Sequence, residues 1–551
     1  MIKRQLLLIG FTLIFLSNQL GPADNNRYFE ISKNLEIFTA LYKELNHSYV
    51  DELDPSSLMA TAIDAMVESM DPYTVFYSES EIERYKLEKE GKYEGIGAEI
   101  VEIDGYLTIT QPYRDYAADD AGLKAGDQVI GIGGMSVETI GLKKAKLMLR
   151  GASGTGLQLK IRRPGTGEEI EVELFREQIS LPNVPHKELV AAGVGYVNLS
   201  TFTQQASGNV KAAIESLMQD NDGSLDGLIL DLRQNGGGLL SEAVQLTNLF
   251  VPKGETVVST RSKVEERDQL FRTRSDVQFP DLPLIVLVDD RSASASEIVS
   301  GALQDYDRAV VMGQRTFGKG LVQNVKTLNY NNQVKITTSR YYIPSGRSIQ
   351  SAVYENGRAI NITDSASQSN RYKTKAGRTV YGGGGVLPDI QLDPFQDQEI
   401  LLALKKKNAI FKFVTNYINQ DQSVQVKDPR TFMFSGYDKF LDYIFSDEVQ
   451  LEFAAEKELR ELREVAEKYG YWEEIENDIE NAEKRIEKAK VAALEDNKEL
   501  ISNMISEEIV SRFEYLEGRL IRKLQFDPEI NVAVEVLNDK ERYNRILSIN
   551  N

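Results

Sequence analysis

Three spacings of apolar residues succeed one another along the chain. Between residues 27 and 90, Leu35, Phe38, Leu41, Leu45 and Tyr49, then Met59, Ile63, Met66 and Val67, fall at the three- and four-residue steps of a helical face. The centre carries short unbroken runs instead. Leu228-Ile-Leu-Asp-Leu232 and Ala309-Val-Val-Met-Gly313 read as strands buried on both faces, and Ile298 to Leu303 reads as an apolar helix between them. After Gln398, Lys and Glu dominate, and Ile475, Ile479, Ala482, Ile486, Ala489 and Ala493 step by four and three. That seam is shorter than three heptads, so it predicts packing inside a helical domain rather than a coiled coil, with charged i,i+4 pairs on the wet face. Helical ends around an α/β centre are the expectation.

At the start, Lys3 and Arg4 precede an apolar run from Leu6 to Leu16. The run has the length of a secretory signal core and falls short of the roughly 20 residues that span a bilayer. Export is therefore expected, with the catalytic part in a periplasm. No small-x-small pattern after Leu16 makes a convincing cleavage site, so an uncleaved N-terminal membrane anchor stays open beside cleavage.

Composition then removes chemistries. A chain of 551 residues accommodates three to four domains. Its 84 acidic against 64 basic side chains leave a net charge of −20, which argues against nucleic acid as a partner. Cysteine is absent, which excludes a thiol nucleophile, a disulfide and a lipidated N-terminal cysteine. The two histidines, His47 and His186, sit in no nucleophile motif, and no H-E-x-x-H zinc signature occurs. Gly318-Lys-Gly320 lacks the spacing of a phosphate loop. No cofactor and no metal are therefore expected.

What remains is serine and lysine. Ser292-Ala-Ser294-Ala-Ser296-Glu297 opens the apolar helix, which climbs roughly 17 Å over residues 295 to 306 at 1.5 Å per residue. The next strand returns roughly 16 Å and brings the loop Phe317-Gly-Lys319-Gly back to the level of the serines. This pairing points to a Ser-Lys hydrolase. Ser294-Ala-Ser-Glu297 equally fits a capping box, in which serine and glutamate close the helix start and catalyse nothing. A neutral lysine base needs an apolar pocket to lower its pKa, for which Phe317, Leu321 and Val322 are candidates.

The serine string, then Gln304-Asp-Tyr-Asp-Arg-Ala-Val-Val-Met-Gly313 and Phe317-Gly-Lys-Gly-Leu-Val-Gln323, resembles the carboxyl-terminal processing, or tail-specific, proteases. Asp231-Leu-Arg-Gln-Asn-Gly-Gly-Gly238 upstream and Gly384-Gly-Val-Leu-Pro-Asp-Ile390 downstream stand in that family's order, and the likeness covers roughly residues 30 to 395. It implies a crotonase-like spiral for the α/β core, Ser294 as nucleophile, Lys319 as general base and Gln323 as the residue holding the amine. It also implies an oxyanion hole from backbone N–H groups of Ala295 and of the glycine turn, taken as Gly237. Ser292 and Ser296 are left as loop and capping residues. Relatives usually carry proline where Gly236 stands, which predicts a more mobile turn here.

Gly95-Ile-Gly97, Thr108-Ile-Thr110, Ala121-Gly-Leu-Lys-Ala-Gly-Asp127 and Val129 to Gly134 resemble a PDZ domain of the bacterial protease type. Such a domain takes a peptide as an added strand, and its glycine turn offers N–H groups to a terminal carboxylate. Gly95, Ile96 and Gly97 would form that turn, with Ile96 and Ile100 lining an apolar pocket. Among relatives this domain also gates the active site. The expected layout is a signal or anchor over 1–20, a helical region over 27–90, PDZ over 91–177, peptidase core over 178–395 and an acidic helical domain over 396–551.

The expected function is endoproteolysis of exported polypeptides captured by their C-terminal tails. For the helical N-terminal region two readings stand: a cap packed on itself, or a contact in a homodimer formed through the helical ends. Two alternatives for the function stay open as well: an inactive tail-binding scaffold, and a Ser-Lys amidase acting on cell-wall peptides, which would have no need of a PDZ module. The polar stretches 261–280 and 350–377 read as loops without assigned roles.

Overall fold

A computed structural model describes residues 22–79, 81, 82, 91–361, 370–392, 398–421, 423–446 and 449–548. The apolar run from Leu6 to Leu16 lies outside these residues. Among the described residues no helix is long and apolar enough to cross a membrane. The chain divides into two units, one of residues 1–76 with 355–358 and one of the remainder.

The first unit holds α1 (Pro22–Ser48) and α2 (Pro55–Glu68). Asp54 starts α2 by accepting the N–H groups of Ser56 and Ser57 at 3.1 and 3.2 Å, with Pro55 pre-set at the first helical position. The helical spacing is realised, and the packing is shallow: Phe38, Met59, Ile63 and Val67 are half-buried. Leu35 is 61% and Leu41 56% exposed, and α2 buries no residue.

In the second unit, residues 92–180 form the region expected to be PDZ. The outer strands β1 (Lys92–Gly95) and β8 (Glu177–Ser180) pair with each other, where the region joins the rest of the chain. Between them lie β2 (Ala98–Ile103), β3 (Tyr106–Pro112), β4 (Gln128–Ile132), β5 (Met135–Ser136), β6 (Gly156–Arg163) and β7 (Glu168–Phe175), in the sheet order β2-β3-β4-β6-β7. Three short helices complete it: α3 (Ala117–Asp120), α4 (Val137–Ile140) and α5 (Leu142–Met148). The alternating strand Leu157, Leu159, Ile161 points one face into a core with Leu107, Ile109 and Val129.

The core sheet has six strands in the order β9 (His186–Ala191), β10 (Val194–Asn198), β11 (Gly227–Asp231), β14 (Leu284–Val288), β15 (Val310–Gly313) and β18 (Ile390–Gln391). β9 runs antiparallel to β10, and the rest are parallel. The unbroken apolar runs are explained by burial on both faces. Val197, Leu228, Leu230 and Val286 face α6 (Ala206–Asp220), α7 (Leu240–Asn248) and α8 (Ala295–Asp305), while Tyr196, Ile229, Ile285 and Met312 face the other way. A second, antiparallel group sets β16 (Leu321–Thr327), β17 (Gln333–Tyr342), β12 (Thr256–Ser262) and β13 (Gln269–Arg272) side by side. The charged stretch after Arg261 is thus a hairpin arm.

The C-terminal helices are α9 (Glu399–Lys406), α10 (Ala409–Gln420), α11 (Tyr437–Ile444), α12 (Ala454–Tyr469), α13 (Trp472–Asp496), α14 (Lys498–Leu524), α15 (Pro528–Asn538) and α16 (Lys540–Leu547). Ile479 is buried on α13, and Ile486 packs against the cluster of Phe413, Phe440 and Ile505 as the seam predicts, whereas Ala489 of the same seam is exposed. The last two helices do something different. Ile530, Ala533, Val536, Leu537 and Tyr543 cover the second face of the core sheet. A core boundary at 395 therefore leaves out the layer that closes it: the helices after Gln398 build a core of their own around Phe413 and Phe440, and only the last two return to the sheet.

Candidate active site

The site is built where β11 ends and α8 begins. Ser294 stands ahead of α8 with φ +58° and ψ −111°, a backbone conformation that costs a non-glycine residue of order 1–3 kcal/mol and projects its side chain from a sharp turn. Its two neighbours of the same type are engaged elsewhere. Ser292 donates its hydroxyl to the Leu232 carbonyl at 2.8 Å, and Ser296 donates to the Asn235 carbonyl at 2.8 Å, both fully buried. Ser294 alone opens on a cavity of about 620 Å³. That cavity is also lined by Gly236, Gly237, Gly238, Ala295, Lys319 and Gln323. All three residues expected as a dyad with its holder, and both oxyanion candidates, therefore meet in one hollow.

Glu297 ties the two halves together. Its carboxylate accepts the Ser294 N–H at 2.8 Å, as a capping box requires, and then three donors of the returning loop: Thr316 Oγ1 at 2.6 Å, Gly318 N at 2.7 Å and Lys319 N at 2.9 Å. The capping reading and the catalytic reading are thus compatible, since one glutamate caps the helix and pins the lysine loop. Complete burial pushes this carboxyl up to about 7, while the hydrogen bonds from Thr316, Lys319, Ser294 and Gly318 pull the other way. The Tyr341 hydroxyl donates to the Lys319 carbonyl from behind.

The apolar wall around Lys319 differs from expectation in one member. Leu321 and Val322 line the cavity, together with Leu239, Leu240 and Ile298. Phe317 does not, being 51% exposed. Gln323 donates its Nε2 to Thr337 Oγ1 at 3.3 Å and lines the same cavity as Lys319.

The glycine turn is held by Asn235. Its side chain donates to the Leu199 carbonyl at 2.7 Å and its Oδ1 accepts the Gly237 N–H at 2.9 Å. Gly237 lies directly against the nucleophile: a Cβ there would sit 2.8 Å from Ser294 Cβ and 2.9 Å from Ala295 N. In this conformation, however, the Gly237 N–H expected as an oxyanion donor is engaged by Asn235. The glycine at 237 is explained by proximity and by its φ of +100°. Gly236 needs neither, for its Cβ would meet nothing within 4 Å.

The profile of peptidase family S41 matches residues 193–357, that of the PDZ domain 84–162, and that of a probable PDZ-protease C-terminal helical domain 400–537. A carboxy-terminal-processing protease of Bartonella bacilliformis is 34% identical over 319 residues, which are 58% of this chain and 73% of that one. The chain belongs to the S41 carboxy-terminal-processing proteases. Carboxy-terminal processing protease CtpB of Bacillus subtilis is 30% identical over 346 residues, 62% of this chain and 71% of its own. Among solved structures, the photosystem II D1 C-terminal processing protease is 24% identical, covers 68% of this chain and 96% of its own, and has a TM-score of 0.36. The PDZ domain of a carboxy-terminal protease from Vibrio cholerae, solved with a peptide, is 26% identical, covers 16% of this chain and 99% of its own, and has a TM-score of 0.16.

In the PDZ domain of this peptidase, Gly95, Ile96 and Ile100 line a groove of about 220 Å³ with Tyr93, Leu149, Lys146 and Arg150. Gly97 lies beside them at φ +76°, where a Cβ would meet Tyr116. Ile96 belongs to the domain core, at 2% exposure, and Ile100 is half-buried on β2, packed against that core. Among the described residues β2 pairs only with β3, so its other edge is open. Neither histidine lines the serine's cavity; His186 lies on β9, 3.0 Å from Glu188. Sequence reasoning missed Asn235, Thr316 and Arg233. Only the Asn235 neighbourhood, with its three glycines, carried a local signal.

Proposed function

We propose that this peptidase is a serine endopeptidase in which Ser294 attacks, Lys319 takes and returns the proton, and Gln323 orients the amine. The observation that carries the reading is the division of labour among three serines: two give their hydroxyls to backbone carbonyls, and the third faces the lysine's cavity. As Ser294 Oγ adds to the scissile carbonyl, its proton passes to the neutral Lys319 amine and then to the departing amine. The Ala295 N–H, at the start of α8, is aimed at the developing oxyanion with the helix dipole behind it. The second donor comes from the glycine turn, with Gly237 as its nearest residue, once Asn235 Oδ1 releases that N–H.

Substrates are polypeptides with apolar tails. The open edge of β2 accepts the tail as a further strand, and Gly95 to Gly97 receive its carboxylate. Tethering the tail raises the local concentration of the chain at the serine. Lys3, Arg4 and the run Leu6–Leu16 support export to a periplasm, with the segment cleaved or kept as an anchor.

The test compares the full chain with Ser294→Ala and Lys319→Arg on one unfolded substrate with and without its last three residues. Both variants are expected to lose cleavage, because a guanidinium cannot give up its proton at working pH. Product formation by Ser294→Ala at the parent rate would overturn the assignment, and equal rates on the two substrates would overturn tail capture.

A further inference from the structure

The catalytic turn is gripped from the far end of the chain. Arg233, two residues ahead of Asn235, is only 12% exposed and holds three carboxylates at once. Its Nε donates to both oxygens of Asp231 at 3.0 and 3.1 Å, and its Nη2 lies 2.7 Å from Asp231 and 2.8 Å from Asp527 Oδ2. Its Nη1 donates to Glu529 Oε2 at 2.5 Å. Tyr196 donates its hydroxyl to the same Asp231 at 2.7 Å. Asp231 closes β11, but Asp527 and Glu529 belong to the start of α15, where Asp527 also caps that helix by accepting the Glu529 N–H at 3.0 Å.

Immediately after Arg233 the chain enters the glycine turn. Gln234 has φ +62°, and its N–H donates to Asp289 Oδ1 at 2.9 Å. Asn235 then fixes Gly237, and its carbonyl receives the Ala293 N–H at 3.0 Å next to the nucleophile. The direction in which the chain enters this turn is set by Arg233, and Arg233 is set from α15. A planar guanidinium holding three carboxylates permits far fewer orientations than a single pair would.

We propose that Asp527 and Glu529 are positioning residues of the peptidase site, acting through Arg233 on the 234–238 turn, so that the C-terminal helices are part of the catalytic apparatus. The inference rests on the serine reading of the site. Three carboxylates around one guanidinium leave an excess negative charge, and burial raises the Glu529 carboxyl above its ordinary range. A merely structural role and a positioning role therefore separate. Neutralising Glu529 relieves the excess charge and should leave the fold at least as stable, yet it replaces a charge-assisted bond to Arg233 by a weaker neutral one and so loosens that arm.

The experiment uses the full chain and the variants Glu529→Gln, Asp527→Asn/Glu529→Gln and Arg233→Lys. It reads kcat and KM on a tailed substrate, the affinity of a peptide boronate that mimics the tetrahedral intermediate, and the melting temperature. Glu529→Gln is expected to keep its melting temperature and KM while kcat and boronate affinity fall together by about 10-fold, and the double variant by about 100-fold, the scale of an ångström-sized misplacement. Arg233→Lys should resemble the double variant. Unchanged kcat and boronate affinity in folded Glu529→Gln overturn the proposal, as does a loss of activity no larger than the loss of folded protein. Should the double variant fail to fold, Glu529→Gln decides alone. If the parent chain shows no Ser294-dependent cleavage, the serine reading has failed instead.

Discussion

At Gly236 and Gly237, adjacent residues of one type have opposite tolerances. A methyl group at 237 would occupy the space in front of Ser294 and Ala295 N, whereas one at 236 meets nothing. Gly237→Ala is expected to lower kcat by about 100- to 1000-fold, the cost of a lost oxyanion donor. Gly236→Ala should retain activity and gain about 0.4–1 kcal/mol by restricting the unfolded chain. Steady-state kinetics and denaturant melts of the two variants check this contrast. Glu297 makes a second prediction at this scale. Its carboxyl, raised to about 7, carries a proton in the folded chain between its ordinary range and pH 7 that the unfolded chain has already released. Its contribution to stability is therefore greatest in acid, declines as pH rises toward 7 and is level above. Activity runs the opposite way, because four donors converge on the charged form. A kcat/KM profile should fall on acidification through pH 7 without a matching fall in melting temperature, and Glu297→Gln should lose that inflection.

At the scale of elements, legibility followed sequence distance. The helix at Ala295–Asp305 and the strands at Gly227–Asp231 and Val310–Gly313 were readable, since an unbroken apolar run has few ways to be satisfied. The approach of the Lys319 loop to Ser294 followed from helix rise and strand return, and Gln323 from family likeness. Phe317 was misplaced because a side chain's direction on a loop has no period. Arg233 was read only as part of a motif with Asp231: its partners Asp527 and Glu529 lie in a distant part of the chain, and no local pattern announces them. The open edge of β2 gives this scale its prediction. Ile100→Asp places a charge in the tail groove and should raise KM for a tailed substrate about tenfold, the loss of roughly 1–2 kcal/mol of apolar contact. A fluorescently labelled tail peptide, titrated by anisotropy, measures it directly.

For the whole molecule, the first unit carries the strongest departure from a self-sufficient chain. Tyr28, Phe29, Leu35, Ile37 and Leu41 stand exposed on α1. The expected homodimer would cover them. Sedimentation equilibrium should give a mass near twice 61.9 kDa, and Leu35→Lys/Leu41→Lys should return the monomer; a monomeric parent chain would refute this.

The kink in α14 has a consequence of its own. Tyr515 interrupts that helix at φ +54° and ψ −153°, and what holds it there comes from the PDZ domain: Asp119 accepts its hydroxyl at 2.6 Å and Arg114 lies over its ring at 4.7 Å. Ala118, beside Asp119, donates its N–H to the Ile96 carbonyl in the Gly95–Gly97 turn at 2.8 Å. The bend in this helix is thus bonded to the same short helix that bonds the Gly95–Gly97 turn. Tyr515→Phe removes the bond to Asp119, and amide exchange at residues 511–519 should change in that variant, a readout of this contact between helix and PDZ domain that requires no substrate turnover.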